Sequence, residues 1–189
     1  MKSLFNNKLI HAALVIAVGL VIYANTLQVP FIFDDTGNLV ENPLIIDLAN
    51  FFDPARYHRY FGGLTSRYFG YLTFALNYRL HGYDVTGYHL VNIAIHIISA
   101  LLVYRLVSLT FRACRLSGPC DSAAASGRES FVALLAALLF VAHPIQTQAV
   151  TYIVQRFASL AALFYLLSVT CYLQARLLCR RPNGQPGCI

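Results

Sequence analysis

The sequence predicts an all-α polytopic membrane protein with about four transmembrane helices and short amphipathic helices at the membrane surface. Of its 189 residues, 58% are hydrophobic, and the mean hydropathy is +0.59. Charged residues make up 12% of the chain, about half of the roughly 25% typical of soluble domains. Several apolar runs approach the length that crosses about 30 Å of hydrocarbon. We interpret residues 1–189 as a single membrane domain.

Charge and motif content exclude several classes of function. The formal net charge is +6, but the basic residues are not interleaved with aromatic residues on a polar face, so no nucleic-acid partner is expected. The five cysteines are odd in number and lack metal-ligand spacing, and their predicted position near the cytoplasm favours reduced thiols. Neither a dinucleotide-binding, a P-loop nor a zinc-protease motif is present. No cofactor is therefore expected.

The apolar runs and the basic residues predict a topology with both termini inside. A signal peptide is the alternative for the first run, but that run exceeds the usual hydrophobic core of about 7–15 residues. Arginines around the second hydrophilic segment mark it as cytoplasmic. The predicted order is span 9–27, outer loop 28–86, span 88–111, inner loop 112–130, span 131–143, outer turn 144–151 and span 152–174.

The outer loop should contain short helices lying along the membrane, because a structureless loop of this length is unusual. We predict one helix over Pro43–Phe52 and a second over Arg67–Leu80. The second is amphipathic. Its predicted apolar face consists of Tyr68, Leu72, Ala75, Leu76 and Leu80.

Adjacent acids, Asp34 and Asp35, follow the first span. Carboxylates close to hydrocarbon are costly, so a proton to abstract, a cation to bind or an arginine partner should compensate. A loop turn with solvated acids is the alternative interpretation. The predicted topology favours a functional role for the two acids, because it gathers several polar side chains at one membrane face. These are Asp34, Asp35, Arg67, His89, His143, Gln146 and Arg156.

A polar stripe follows in the second span. His89, Asn92 and His96 share one helical face, which fits either helix packing or cavity lining. The two histidines lie two turns apart, too far to bind one ion without a bridging ligand. Arg156, near the outer end of the fourth span, either extends to the interface or pairs with a carboxylate or phosphate.

Several of these motifs together resemble the transmembrane-and-tetratricopeptide-repeat O-mannosyltransferases. The similarity covers nearly the whole chain in order, and the His-Pro block is its most specific part. The matching segments are Tyr23–Leu27, Phe31–Asp35, Asn42-Pro43, Gly87–Asn92 with His96, and Leu138–Val150 with Arg156.

The resemblance implies a C-type membrane glycosyltransferase fold and the transfer of a sugar from a polyprenyl-phosphate carrier to a protein hydroxyl or other acceptor outside the cytoplasm. By motif position Asp34 is the general base and Asp35 its neighbour. A divalent cation at the two acids is an alternative. Expected partners are membrane lipid and the polyprenyl-phosphate sugar. The implied carrier-phosphate ligands are Arg67, His89, Asn92, His143 and Arg156.

The chain also departs from the family pattern. Ser159 and Gln148 stand where the family tends to show acids, and no further spans or helical repeats follow. A fragment, a split subunit or a degenerate product is therefore expected. The alternative function is a non-catalytic or truncated membrane subunit that binds a lipid phosphate or a partner supplying the missing spans. A small transporter is a third idea, but the chain lacks an inverted second half. A bacterial inner membrane is the expected location.

Overall fold

The computed structural model describes residues 7–61, 67–117 and 125–179. Within these ranges the chain forms eight α-helices, linked by short 3-10 and π turns, and no strand. The helices are α1 Lys8–Tyr23, α2 Pro43–Ile46, α3 Pro54–Phe61, α4 Tyr68–His81, α5 Val85–Ser117, α6 Ala125–Ala142, α7 Gln146–Thr151 and α8 Arg156–Leu178.

The all-α membrane class is confirmed, because three helical segments are long and apolar enough to cross a membrane. These are Lys8–Gln28, Val85–Leu116 and Ile153–Leu178, identified among the described residues. The run predicted as a span at 131–143 lies in α6, which is not one of the three. The apolar part of α6 begins at Phe131 and ends at Ala142, a length of about 18 Å at 1.5 Å per residue.

Three of the six acids in the predicted outer loop begin helices. Each carboxylate accepts a hydrogen bond from a backbone N–H two residues further along, as N-caps do. Asp47 caps the 3-10 turn Leu48–Phe51, Asp53 caps α3 and Asp84 caps α5. The bond from the Thr86 N–H also lowers the pKa of Asp84. These acids have a structural role and are not candidates for chemistry.

The single helix predicted over Pro43–Phe52 is wrong. Asn42 caps α2, with Pro43 in the first turn, but α2 ends at Ile46. Asp47 then adopts an extended conformation, with φ −121° and ψ 115°, and starts the 3-10 turn. The competing cap of Asp47 explains why one helix becomes two elements.

The predicted apolar face of α4 is only partly correct. Tyr68 and Leu72 pack against the core and Ala75 is buried, but Leu76 is 44% exposed and Leu80 is 75% exposed. The buried face instead includes Gly70, Tyr71, Phe74 and Asn77. Two of these residues contact the buried Arg156, through an Asn77 hydrogen bond and the Phe74 ring. A polar partner that hydrophobic periodicity does not detect therefore sets the orientation of α4.

The described residues divide into two compact units. The first unit combines Met1–Val21, His96–His143 and Ala162–Ile189. Small residues let its helices approach closely. A Cβ added at Gly19 would lie 2.8 Å from the Ile97 Cγ1 atom. The buried core consists of Val15, Ala100, Leu134, Ala137 and Val141.

The second unit combines Ile22–Ile95 with Pro144–Ala161. Its core is aromatic and aliphatic, and the ring of Phe157 packs edge-on against Phe74, with centroids 5.4 Å apart. The Phe157 ring also lies directly over the backbone of Gly70. The buried core consists of Leu39, Leu44, Ile45, Phe51, Tyr71, Phe74, Ala75, Tyr88, Ile153 and Val154.

Replacing Gly70 by alanine should destabilise the second unit, because the new Cβ would overlap Cδ1 and Cε1 of Phe157. Overpacking of this kind typically lowers the free energy of unfolding by about 1–3 kcal/mol. Gly37→Ala is the matched control, since nothing lies within 4 Å of a Cβ at that position. Thermal unfolding of the detergent-solubilised variants tests this prediction, and equal midpoints for the two variants would contradict it.

Candidate functional site

The loop that carries the two acids is held in a defined conformation. Phe33, just before the pair, has φ +47°, a left-handed conformation that is unfavourable for a bulky residue. The Asp34 N–H donates a 3.0 Å hydrogen bond to the Tyr152 hydroxyl, and the Phe33 and Tyr152 rings pack edge to face. This strained turn separates the environments of the two acids, leaving the Asp34 side chain exposed and that of Asp35 buried.

Asp35 is the anchor of the loop. Its side chain is fully buried, and each carboxylate oxygen accepts a backbone hydrogen bond. One oxygen accepts from the Val154 N–H at 2.7 Å and the other from the Ile32 N–H at 3.1 Å. The first bond joins residues 119 positions apart, so Asp35 fixes the acidic loop against the segment that leads into α8.

Hydrogen bonds connect the Asp34 backbone to Tyr71, which lies near the Arg67 charge. The Asn38 amide donates to the Asp34 carbonyl at 2.9 Å and accepts from the Tyr71 hydroxyl at 2.7 Å. Burial raises the pKa of Tyr71, and the neighbouring Arg67 charge opposes that rise. The Arg67 guanidinium also lies over the Phe157 ring, 5.0 Å from its centroid.

Arg156 is fully buried in the second unit. Its Nε donates to the Asn92 side-chain oxygen at 2.7 Å, and its Nη1 donates to the Asn77 side-chain oxygen at 2.7 Å. Nη1 also contacts Thr73, at 3.4 Å, and Nη2 donates to the Tyr88 carbonyl at 2.9 Å. The guanidinium lies 4.4 Å from the centroid of the Phe74 ring. Neutral oxygens and an aromatic face therefore stabilise this charge, and it connects α4, α5 and α8.

Asn92 and His89 bind protein groups as well. The Asn92 amide donates to the carbonyls of Val150 and Ile153, each at 3.3 Å, which fixes the turn between α7 and α8. His89 is fully buried, and its Nε2 lies 2.9 Å from the Val29 carbonyl. Nδ1 of His89 has no hydrogen-bond partner among the described residues. The predicted phosphate-binding role of His89, Asn92 and Arg156 stays a prediction, and their observed partners are protein atoms.

The remaining predicted residues lie elsewhere. His143 is exposed and belongs to the first unit, directly after α6 ends. Gln146 is half-buried at the start of α7, in the second unit. His96 belongs to the first unit, where its Nε2 lies 3.2 Å from the Val141 carbonyl and its ring stacks on Phe140. The polar stripe of α5 is thus divided between the two units.

The described residues contain no group of three or more side chains arranged to hold a metal ion. Both oxygens of Asp35 accept backbone N–H bonds. These bonds and its burial shield the Asp35 carboxylate from solvent. What the site presents to solvent is the Asp34 carboxylate and the Arg67 guanidinium. A base and a cation in one unit suit proton abstraction together with stabilisation of a negatively charged leaving group.

Sequence reasoning missed four residues that hold this site together: Asn38, Tyr71, Asn77 and Tyr152. A signal existed for Asn77, because an amide on an otherwise apolar helix face needs a buried partner. Asn38 lies four residues after Asp34, a spacing at which its side chain can bond back to the loop. The bond of Tyr71 joins residues 33 positions apart, and that of Tyr152 joins residues 118 positions apart. No local sequence pattern indicates such contacts.

Comparison with curated proteins identifies relatives of most of the chain. Protein O-mannosyl-transferase Tmtc3 of Drosophila melanogaster is 35% identical over 185 residues, which is 89% of this chain and 19% of that protein. Protein O-mannosyl-transferase TMTC4 is 33% identical in Mus musculus and in Homo sapiens, over 84% of this chain and 22% of each relative. The chain thus spans about a fifth of the length of these relatives. No family model and no solved structure matches it.

The stability contributed by Asp35 should depend on pH. Burial raises the pKa of Asp35 above its ordinary value of 3.8, although the amide bonds from Ile32 and Val154 act in the opposite direction. The folded protein therefore binds this proton more tightly than the unfolded chain does. The resulting stabilisation is fully present below pH 3.8 and is lost as the pH rises through the raised pKa.

Asp35→Asn cannot titrate, so the stability of the wild type relative to this variant should be greatest at acid pH and fall as the pH rises. The asparagine side chain also places an NH₂ group against one of the two backbone N–H donors. This loss of a hydrogen bond should lower the free energy of unfolding by about 1–3 kcal/mol. Thermal unfolding of both proteins between about pH 4 and 8, with Asp35→Ala as a second non-titrating reference, measures the difference. An advantage of the wild type that grows with pH would contradict this account.

Proposed function

Because this chain is homologous over most of its length to one segment of the transmembrane-and-tetratricopeptide-repeat protein O-mannosyl-transferases, we propose that it forms part of a membrane glycosyltransferase. The proposed reaction moves a sugar, mannose by the names of the relatives, from a polyprenyl-phosphate carrier to a protein hydroxyl. The single observation that carries the proposal is the exposed Asp34 carboxylate on a loop fixed by the buried Asp35.

In this proposal Asp34 is the general base. A protein hydroxyl is a weak nucleophile until a positioned base removes its proton during attack on the sugar. The bonds from the Asp34 backbone to Tyr152 and Asn38 limit where the carboxylate can move. Asp35 has a positioning role, because its buried oxygens are already occupied by backbone N–H groups.

Arg67 is the proposed partner of the carrier phosphate. Its guanidinium is exposed, and it belongs to the same unit as Asp34. Its contact with the Phe157 ring orients it at the start of α4, near Tyr71. A fixed cation stabilises the negative charge that builds up on the leaving phosphate. His143 remains a second candidate for this role, on the basis of motif position.

The site is proposed to face the side of the membrane opposite the basic flanks, which places both termini in the cytoplasm. The relatives are proteins of a fly, a mouse, a frog, a nematode and man, so they give no support to a bacterial membrane. The alternative function is a non-catalytic subunit that binds a lipid phosphate or a partner protein. That alternative predicts no sugar transfer by membranes that carry the intact chain.

Asp34→Asn should abolish most sugar transfer and leave folding unchanged. Loss of a general base typically lowers the rate by about 10²–10⁴-fold. Membranes that carry the chain are incubated with radiolabelled polyprenyl-phosphate mannose and a serine- and threonine-containing acceptor, and labelled acceptor is counted. Glu41→Gln is the matched control, since Glu41 is an exposed acid of the same loop. Transfer by Asp34→Asn at the wild-type rate would remove Asp34 as the base.

A further inference from the structure

A second polar site lies in the first unit, away from the residues proposed for transfer. A cavity of about 310 Å³ that is partly open to solvent lies there, at the lower end of the roughly 300–1,000 Å³ of ligand sites. All of its lining residues belong to the first unit. They are Lys8, Tyr104, Arg105, Ser108, Leu109, Arg112, Arg115, Glu129 and Ser130.

The lining carries four cationic side chains and one carboxylate. Arg115 is neutralised by Glu129, at 2.6 Å, and Arg105 donates to the Gln174 side-chain oxygen at 3.3 Å. Lys8 and Arg112 are exposed, and neither side chain has an ion-pair or hydrogen-bond partner in the described part of the chain. Like charges held together without counter-charges repel one another, so a bound anion would stabilise this arrangement.

The cavity lies where the membrane-spanning segments end. Lys8 is the first residue of the span Lys8–Gln28, and Arg112 and Arg115 lie in the last two turns of the span that ends at Leu116. Glu129 lies in the first turns of α6. Lysine and arginine at span ends place their charges at the headgroup level, with their carbon stems along the apolar surface. The positive-inside rule assigns this end of the helices to the cytoplasmic leaflet.

We infer that this cavity binds a phosphate group, supplied by the headgroup of an anionic lipid. Unpaired cations at the membrane boundary are complementary to a lipid phosphate, and basic pockets between membrane helices on this side bind anionic headgroups. Arg112 offers a planar set of donors that matches two phosphate oxygens, and Lys8 adds a compact charge. The bound lipid would tie α1 to the end of α5 in the first unit.

The inference is tested by titrating the detergent-solubilised protein with phosphatidic acid in mixed micelles and measuring the apparent dissociation constant from the thermal unfolding midpoint. Phosphatidylcholine is the uncharged reference lipid, and inorganic phosphate is the soluble source of the same chemical group. The double variant Lys8→Gln/Arg112→Gln removes the two unpaired charges. Arg128→Gln/Arg176→Gln is the matched control, because both arginines are exposed and neither lines the cavity.

Phosphatidic acid should stabilise the wild type and the control equally and more than phosphatidylcholine does. The cavity variant should bind it more weakly, by about fivefold for each charge removed. Without added lipid the control variant should unfold at the wild-type temperature, and the cavity variant at that temperature or slightly above it, because the repulsion between its cations is reduced. Equal affinity of the cavity and control variants would overturn the inference. Inorganic phosphate that reproduces the variant-dependent shift would support the phosphate site and overturn the lipid as its source.

Discussion

The buried Arg156 guanidinium is the interaction on which the second unit depends. Removing a guanidinium from water costs several kcal/mol unless the protein replaces the lost hydrogen bonds. Here side-chain oxygens of Asn77 and Asn92 and the Tyr88 carbonyl replace them, and the Phe74 ring covers one face of the cation. The free-energy cost of desolvating the guanidinium is offset only when α4, α5 and α8 pack together, so this charge specifies the arrangement of the three helices.

The candidate site is built outward from this network. Asn92 accepts from Arg156 and donates to the Val150 and Ile153 carbonyls, which fixes the turn before α8. That turn presents the Val154 N–H to Asp35. Asp35 in turn leaves Asp34 as the exposed acid of the pair. Asp34, the proposed general base, is therefore positioned through this network by Arg156, a residue that was predicted from the sequence to bind the carrier phosphate.

Hydropathy and charge were sufficient to predict the helical membrane class. The order of the motifs along the chain was sufficient to suggest the O-mannosyltransferases, which are the relatives that the comparison identifies. The caps at Asp47, Asp53 and Asp84 were not predicted, although capping depends on neighbours only two residues away, and one helix was wrongly predicted across Asp47. The roles of Asp35 and Arg156 were not readable. Each side chain binds a group more than 60 positions distant, Val154 for Asp35 and Asn92 for Arg156, and such pairing leaves no periodic signal.

Amide hydrogen exchange in the Arg156→Met variant tests whether the buried guanidinium holds the turn before α8 in place. Methionine keeps a long apolar side chain but offers no donor, so the Asn77 and Asn92 oxygens lose their partner. The account predicts that the segment Ile153–Gln155, whose Val154 N–H is bound by Asp35, exchanges at least about tenfold faster than in the wild type. Residues of α6, which belong to the first unit, serve as the internal reference and should stay protected. Unchanged protection of Ile153–Gln155 in a folded variant would contradict the account.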